Sequence, residues 1–436
     1  MTGTSALVVS STILILTYAV IISDKINRSI IALLGACLMI VSGVINQEQA
    51  IEGIDFNTLA LLAGMMKIVA ITRRTGLFEF VAISAARAAR GNPAMVMILL
   101  SIITAVFSAF LDNVTTVLLV VPVTLAIASK LKIPAYPLLF AEIFASNIGG
   151  TSTLIGDPPN IIIGSAANLS FNDFAAALAP VIVVIMAVQL MITHAIWGRK
   201  MQADAEHRAA VIAMNALDQI TDWKLLKQCL VVIVLVIGGF ILQRDVHLEP
   251  GTIALFGAAV LMLLDNIGHP AEAQTHRVSA LFAEVEWITL FFFIGLFVVI
   301  AGVENAGLLE ILAQDLVAAT GGDLQVTGLA ILWASAILSA IIDNIPFVAT
   351  MIPLIKEMAP TFGGPETIIP LWWCLSLGAC LGGNGTLIGA SANLTVAGIA
   401  ERNGVPFKFL TFTAYAFPMM LVSIAIAHIY VLWRFF

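Results

Sequence analysis

The chain has 436 residues, 60% hydrophobic and only 11% charged, with a formal net charge of -7. A soluble domain carries roughly 25% charged residues, so the composition excludes one and defines a polytopic membrane protein, for which no nucleic-acid partner is expected. Cys37, Cys229, Cys374 and Cys380 fall at no paired spacing and the six histidines are dispersed, so neither a disulfide framework, a metal site nor a cofactor is expected.

Crossing a core of about 30 Å takes roughly 20 helical residues. From the N-terminus, predicted spans cover 5–22, 29–46 and 57–72. No basic residue precedes the first and no cleavage pattern follows it, so it reads as a transmembrane helix rather than a signal peptide. Residues 94–129 would make a helix of about 54 Å, too long for one crossing and short for two. Asp112-Asn113 lies at its middle, and a helical hairpin folded back there accounts for it. Residues 133–167 are also overlong, and "GGTSTLIGDPPN" (149–160) interrupts them. A span over 176–197 leads to a partly amphipathic stretch, 198–227. Spans over 228–243, 252–265 and 286–303 follow, then 325–358 centred on Asp343-Asn344, 366–400 interrupted by "LGGNGTLIGASAN" from Leu381, and 411–432.

The recurrence is an internal repeat. Shifting by 233 positions lays Ile148–Asn160 over Leu381–Asn393 with seven of thirteen residues identical. A shift of 231 aligns "SAFLDNVTTVLLVVP" from Ser108 with "SAIIDNIPFVATMIP" from Ser339, and Gly64, Gly76 and Glu79 with Gly295, Gly307 and Glu310. The expected fold is an all-α polytopic membrane protein with two repeats, 1–200 and 228–436, joined by a cytoplasmic linker over 201–227. Each repeat holds a hairpin and a discontinuous helix. With each hairpin returning to the side it entered, each repeat crosses five times, so the two are inverted. Placing both termini outside puts sixteen lysines and arginines in the cytoplasm against Arg244, Lys356 and Arg434 outside, a strong positive-inside bias. The setting is an integral plasma (inner) membrane protein.

Non-helical backbone at membrane depth survives only inside protein or beside a wet cavity. Broken helices and hairpin tips related by an inverted repeat point to a secondary transporter with its site near the midplane. The glycines at 149, 150 and 156 let the chain unwind and let something approach its backbone, and Asp157 before Pro158 and Pro159 reads as a structural cap restarting a helix. No P-loop and no catalytic constellation is present, so neither ATP-driven transport within this polypeptide nor an enzyme is expected.

"LDNVTT" with "NIGGTSTLIGDPPN", and "IDNIP" with "GGNGTLIGASAN", resemble the paired signatures of the ion transporter superfamily. It includes arsenite efflux pumps, the pink-eyed dilution P protein, NhaD-type sodium/proton antiporters and sodium-coupled dicarboxylate carriers. In the dicarboxylate branch the tips read Ser-Asn-Thr; Asp112 and Asp343 put acid where that branch has hydroxyl, which argues against a doubly anionic substrate. The resemblance implies transport of a small inorganic solute with protons across the bilayer, and it admits a cytoplasmic ATPase subunit and a homodimer as partners.

Asp112 and Asp343 are intramembrane carboxylates, costly unless paired, protonated or ion-bound. Each either caps the second helix of its hairpin or couples transport to protons or a cation, and symmetric placement favours coupling. Glu142 is a third coupling candidate or a partner for Lys67, and Lys67 either snorkels to the cytoplasmic face or countercharges Asp112. Substrate contacts are expected from Asn113, Thr115, Asn147, Gly150, Thr151, Thr153 and Asn160 in the first repeat, and from Asn344, Gly383, Asn384, Thr386 and Asn393 in the second. Neutral hydroxyls and amides suit a polyhydroxyl solute, and arsenite is mostly an uncharged trihydroxide near neutral pH. The expected activity is therefore proton-coupled efflux of arsenite or antimonite, with sodium/proton exchange close behind and an anion carrier or channel as the weaker option.

Overall fold

A computed structural model describes residues 3–23 and 25–436. The described residues form helices and no strands. Eight helices are long and apolar enough to cross a membrane, and Arg28–Val41, Pro93–Ser108 and Pro250–Asn266 are shorter apolar ones. The predicted spans fall on Thr4–Ser23, Arg28–Val41, Phe56–Arg73, Phe171–Ile196, Trp223–Ile241, Pro250–Asn266, Trp287–Asn305 and Phe409–Arg434.

The four overlong segments break where the sequence anticipates. Pro93–Ser108 turns over 109–112 into Asn113–Leu131, and Leu324–Ile341 turns at Ile342 and Asp343 into Asn344–Met358. Tyr136–Gly150 unwinds from Thr151 to Asp157 before Pro158–Ala167. Ile369–Gly382 passes through a 3-10 turn, Gly383–Gly385, and restarts at Ser391–Arg402. Short helices outside the predicted spans are also present, among them Leu77–Ala88 and Leu308–Ala319, each preceded by a glycine with left-handed backbone, Gly76 at φ 77° and Gly307 at φ 81°. These are matched positions under the 231 shift.

Packing explains why glycine recurs at matched sites. A Cβ on Gly64 would lie 2.6 Å from the Ala254 carbonyl carbon, and one on Gly295 would lie 2.5 Å from that of Ala32. Each glycine lets one helix seat against the backbone of a helix from the other repeat, so the repeats are interlocked rather than side by side. Every residue from Pro137 to Gly150 is buried, and so is every one from Leu371 to Gly382. A helix surrounded on all faces is removed from lipid, which is the condition under which its unwound continuation can persist.

Candidate functional site

The unwound segments are held against the hairpins by contacts that repeat across the halves. A Cβ on Gly149 would fall 2.2 Å from the Ala105 carbonyl oxygen, and one on Gly382 2.5 Å from that of Ala336. Gly150 packs in the same way on Gly156, and Gly383 on Gly389. Thus the partner admitted by these glycines is the protein's own backbone. Thr153 Oγ1 donates to the Ala109 carbonyl at 2.5 Å, and Thr386 Oγ1 to that of Ala340 at 2.5 Å. Thr151 Oγ1 donates to the Asn147 carbonyl at 2.7 Å. These three hydroxyls, expected to line a substrate cavity, are engaged with backbone: Thr153 and Thr386 with carbonyls at the hairpin turns, and Thr151 with a carbonyl one turn back that also accepts its own N–H.

Asn160 and Asn393 do the reciprocal work. Asn160 Nδ2 donates to the carbonyls of Thr151 (3.1 Å) and Thr153 (2.9 Å), and Asn393 Nδ2 to those of Gly383 (2.8 Å) and Thr386 (2.8 Å). Their oxygens then cross between repeats. Asn393 Oδ1 accepts from Asn147 Nδ2 at 2.9 Å, while Asn160 Oδ1 accepts from Ser376 Oγ at 2.5 Å and from Cys380 Sγ at 3.5 Å. Asn147 and Cys380 are themselves matched by the 233 shift. Asn147 Nδ2 also reaches Asn384 Oδ1 at 2.9 Å.

Beside this amide belt lies a cavity of about 20 Å³, lined by Asp112, Asn113, Asp157, Glu286, Asn344, Arg28 and Ser391 among others, roughly the space of one water. Both hairpin tips therefore meet one broken helix. Asp112 accepts from Thr115 N (2.9 Å) and Thr115 Oγ1 (2.5 Å), and Asp343 from Ile345 N (3.1 Å). Each acid caps its hairpin helix, so Thr115 serves Asp112. Asp343 also pairs with Arg28 Nη1 at 2.8 Å.

Asp157 departs from expectation. It occupies the N-cap position of Pro158–Ala167 but makes no side-chain capping bond. Its carboxylate, 1% exposed, faces Asn113 Nδ2 at 3.3 Å and Asn344 Nδ2 at 3.4 and 3.5 Å. With proline at N1 and N2, the first two positions of the new helix offer no N–H, so the acid turns to the two tip amides.

Glu142 accepts from Thr124 Oγ1 at 2.5 Å and its second oxygen is buried without a partner. The Lys67 ammonium lies 4.0 Å over the Phe282 ring. Among the described residues no ion pair joins Lys67 to Asp112 or Glu142, and its ammonium is engaged with the Phe282 ring instead. Arg28 and Glu286 were not anticipated. Arg28 reads in the sequence as one more cytoplasmic cation, and only a contact 315 positions away reveals its role. Glu286 carried a signal: it matches Asp55 under the 231 shift, and Thr289 and Thr58, also matched, donate to them at 3.1 and 2.6 Å.

A family model described as "Citrate transporter" (CitMHS) matches residues 18–378. The chain belongs to this transporter family, within the ion transporter superfamily. CitMHS-family membership agrees with the curated relatives. The chain is 43% identical to an uncharacterized transporter of Mycobacterium tuberculosis over 98% of this chain and 99% of that protein. It is 39% identical to the 46 kDa membrane protein of Mycobacterium leprae over 98% and 99%. The P protein of Homo sapiens is 35% identical over 97% of this chain, which spans 59% of that longer protein. The solved YdaH transporter of Alcanivorax borkumensis shares the fold at a TM-score of 0.59 and 14% identity, covering 86% of this chain and 85% of that one. This CitMHS-family chain is thus an integral membrane transporter.

Proposed function

We propose that this transporter is a secondary antiporter exchanging protons for a small cation, with sodium the first candidate, at the cavity between the hairpin tips. The observation that carries the reading is the set of acids around that cavity. Asp112, Asp157 and Glu286 line it, and the one guanidinium there, Arg28, is already paired with Asp343. Two carboxylates about 5 Å apart repel by roughly 3 kcal/mol at an effective dielectric near 20. Three of them around the volume of one water need either protons or a metal cation. Filling the site with one displaces the other, and that exclusion is the essence of antiport. The half-helix N-termini, which would otherwise attract an anion, are offset at both hairpins by their own aspartates, so a tricarboxylate meets net negative charge. The two inverted repeats, with both termini outside, would give alternate access from either side.

Arsenite or antimonite efflux is the second reading. It is favoured by Asn384 Nδ2, buried without a partner beside the amide belt, a neutral donor suited to a solute oxygen. Its case is reduced by the engagement of Thr151, Thr153 and Thr386 with backbone. Reconstituted into liposomes with an imposed pH gradient, the protein should release protons when sodium is added. Arsenite accumulation with no sodium response would replace the first reading by the second, and flux indifferent to the gradient would replace both by a channel.

A further inference from the structure

The two hairpin tips share the Asp-Asn pair but not its surroundings. At the first tip, Thr115 supplies both an N–H and a hydroxyl to Asp112. The matched position at the second tip is Pro346, which has neither. Asp343 Oδ2 instead takes Ser391 Oγ at 2.7 Å and Arg28 Nη1 at 2.8 Å, and Arg28 Nη1 also reaches Ser391 Oγ at 2.8 Å. Ser391 in turn matches Pro158, so the first tip has no equivalent hydroxyl. The Arg28 guanidinium is further held 5.0 Å from the centre of the buried Phe292 ring. Arg28 and Ser391 line the central cavity, whereas Asp343 lines only a neighbouring one of about 290 Å³ that shares those two residues.

We propose that Arg28 is a tethered cation for the second hairpin tip, filling at Asp343 the place that an exchangeable cation takes at Asp112. Of two sequence-matched acidic tips, one is thereby withdrawn from transport, and the protein moves one cation fewer per cycle than its duplicated plan would allow. This rests on the reading of the cavity beside Asp112 as a cation site given above. A carboxylate at membrane depth must be compensated. A guanidinium at contact distance does so permanently, because it does not deprotonate in proteins and, unlike an ion, cannot diffuse away. The charged groups facing Arg28 are Asp343, which it contacts, and Glu286, Asp112 and Asp157 around the shared cavity. Among the described residues no basic side chain forms an ion pair with Asp112, so the first tip lacks the fixed counter-charge that Arg28 gives the second.

The test is coupling stoichiometry in proteoliposomes, read from the membrane potential that just balances a fixed sodium gradient, together with the sodium dependence of flux. Arg28→Gln should raise the number of sodium ions moved per cycle by one and steepen the sodium dependence from a Hill coefficient of about one toward two. Arg28→Gln combined with Asp343→Asn removes both charges and should return the stoichiometry to the wild-type value, whatever its rate. Wild-type stoichiometry in Arg28→Gln overturns the inference. If Arg28→Gln does not insert, the double variant decides: coupled at wild-type stoichiometry it supports the tethered cation, uncoupled it refutes it. Failure of the underlying cation reading looks different, since wild-type protein would then show no sodium-linked proton movement before either variant is measured.

Discussion

Replacing Asp157 by asparagine separates a helix cap from a cation ligand. Asparagine caps helices about as well as aspartate, so a residue acting only as a cap would tolerate the change. The structure gives Asp157 no capping bond and buries its carboxylate to 1% exposure among two amide donors. Removing one unit charge from about 4 Å of a bound cation, at an effective dielectric near 20, forfeits ~4 kcal/mol, or about a thousandfold in affinity. The fold should lose far less, ~1–2 kcal/mol, because the hydrogen bonds to Asn113 and Asn344 are long and the new amide oxygen can still accept one of them. Sodium-driven proton release from proteoliposomes, titrated over sodium concentration, measures the first quantity, and thermal unfolding in detergent the second. A well-folded Asp157→Asn protein whose half-saturating sodium concentration stays within threefold of wild type would refute the ligand assignment.

Two further outcomes follow from the packing. Gly149→Ala and Gly382→Ala place a methyl 2.2 and 2.5 Å from carbonyl oxygens of the hairpins, where backbone must move by about 1 Å to restore contact; overpacking costs ~1–3 kcal/mol or more. Both should lower the unfolding temperature and transport, while Gly398→Ala, with nothing within 4 Å, should do neither. Asn393→Ala strips the carbonyls of Gly383 and Thr386 of a donor and Asn147 of an acceptor, a loss of ~2–4 kcal/mol at ~1 or more per buried group. Detergent stability should fall in parallel for Asn160→Ala, and a neutral result for both would show that water can replace these amides.

Much of the fold was legible because it follows from local quantities. Helix length against bilayer thickness, the acidic breaks at Asp112 and Asp343 and the identity of Gly149, Gly150 and Gly156 with their counterparts at 382, 383 and 389 locate hairpins and unwound segments without any long-range contact. The repeat alignment singles out Asn160 and Asn393 as matched positions, and in the structure both donate to the unwound backbone beside them. The chemistry of the cavity was less legible. Thr151, Thr153 and Thr386 are donors in any reading, and which acceptor they find depends on how close the hairpin backbone comes. Asp157 looks like a cap in one dimension, and the tip amides that draw it away come from residues 44 and 187 positions distant. The partnership of Arg28 with Asp343 spans 315 positions. Where helices must break can be read in one dimension, because that is set by length, glycine and charge along the chain. Which carboxylates remain uncompensated emerges in three dimensions alone, because electrostatic pairing depends on distance through space, and the crossing of two interlocked repeats brings together groups that no local pattern relates.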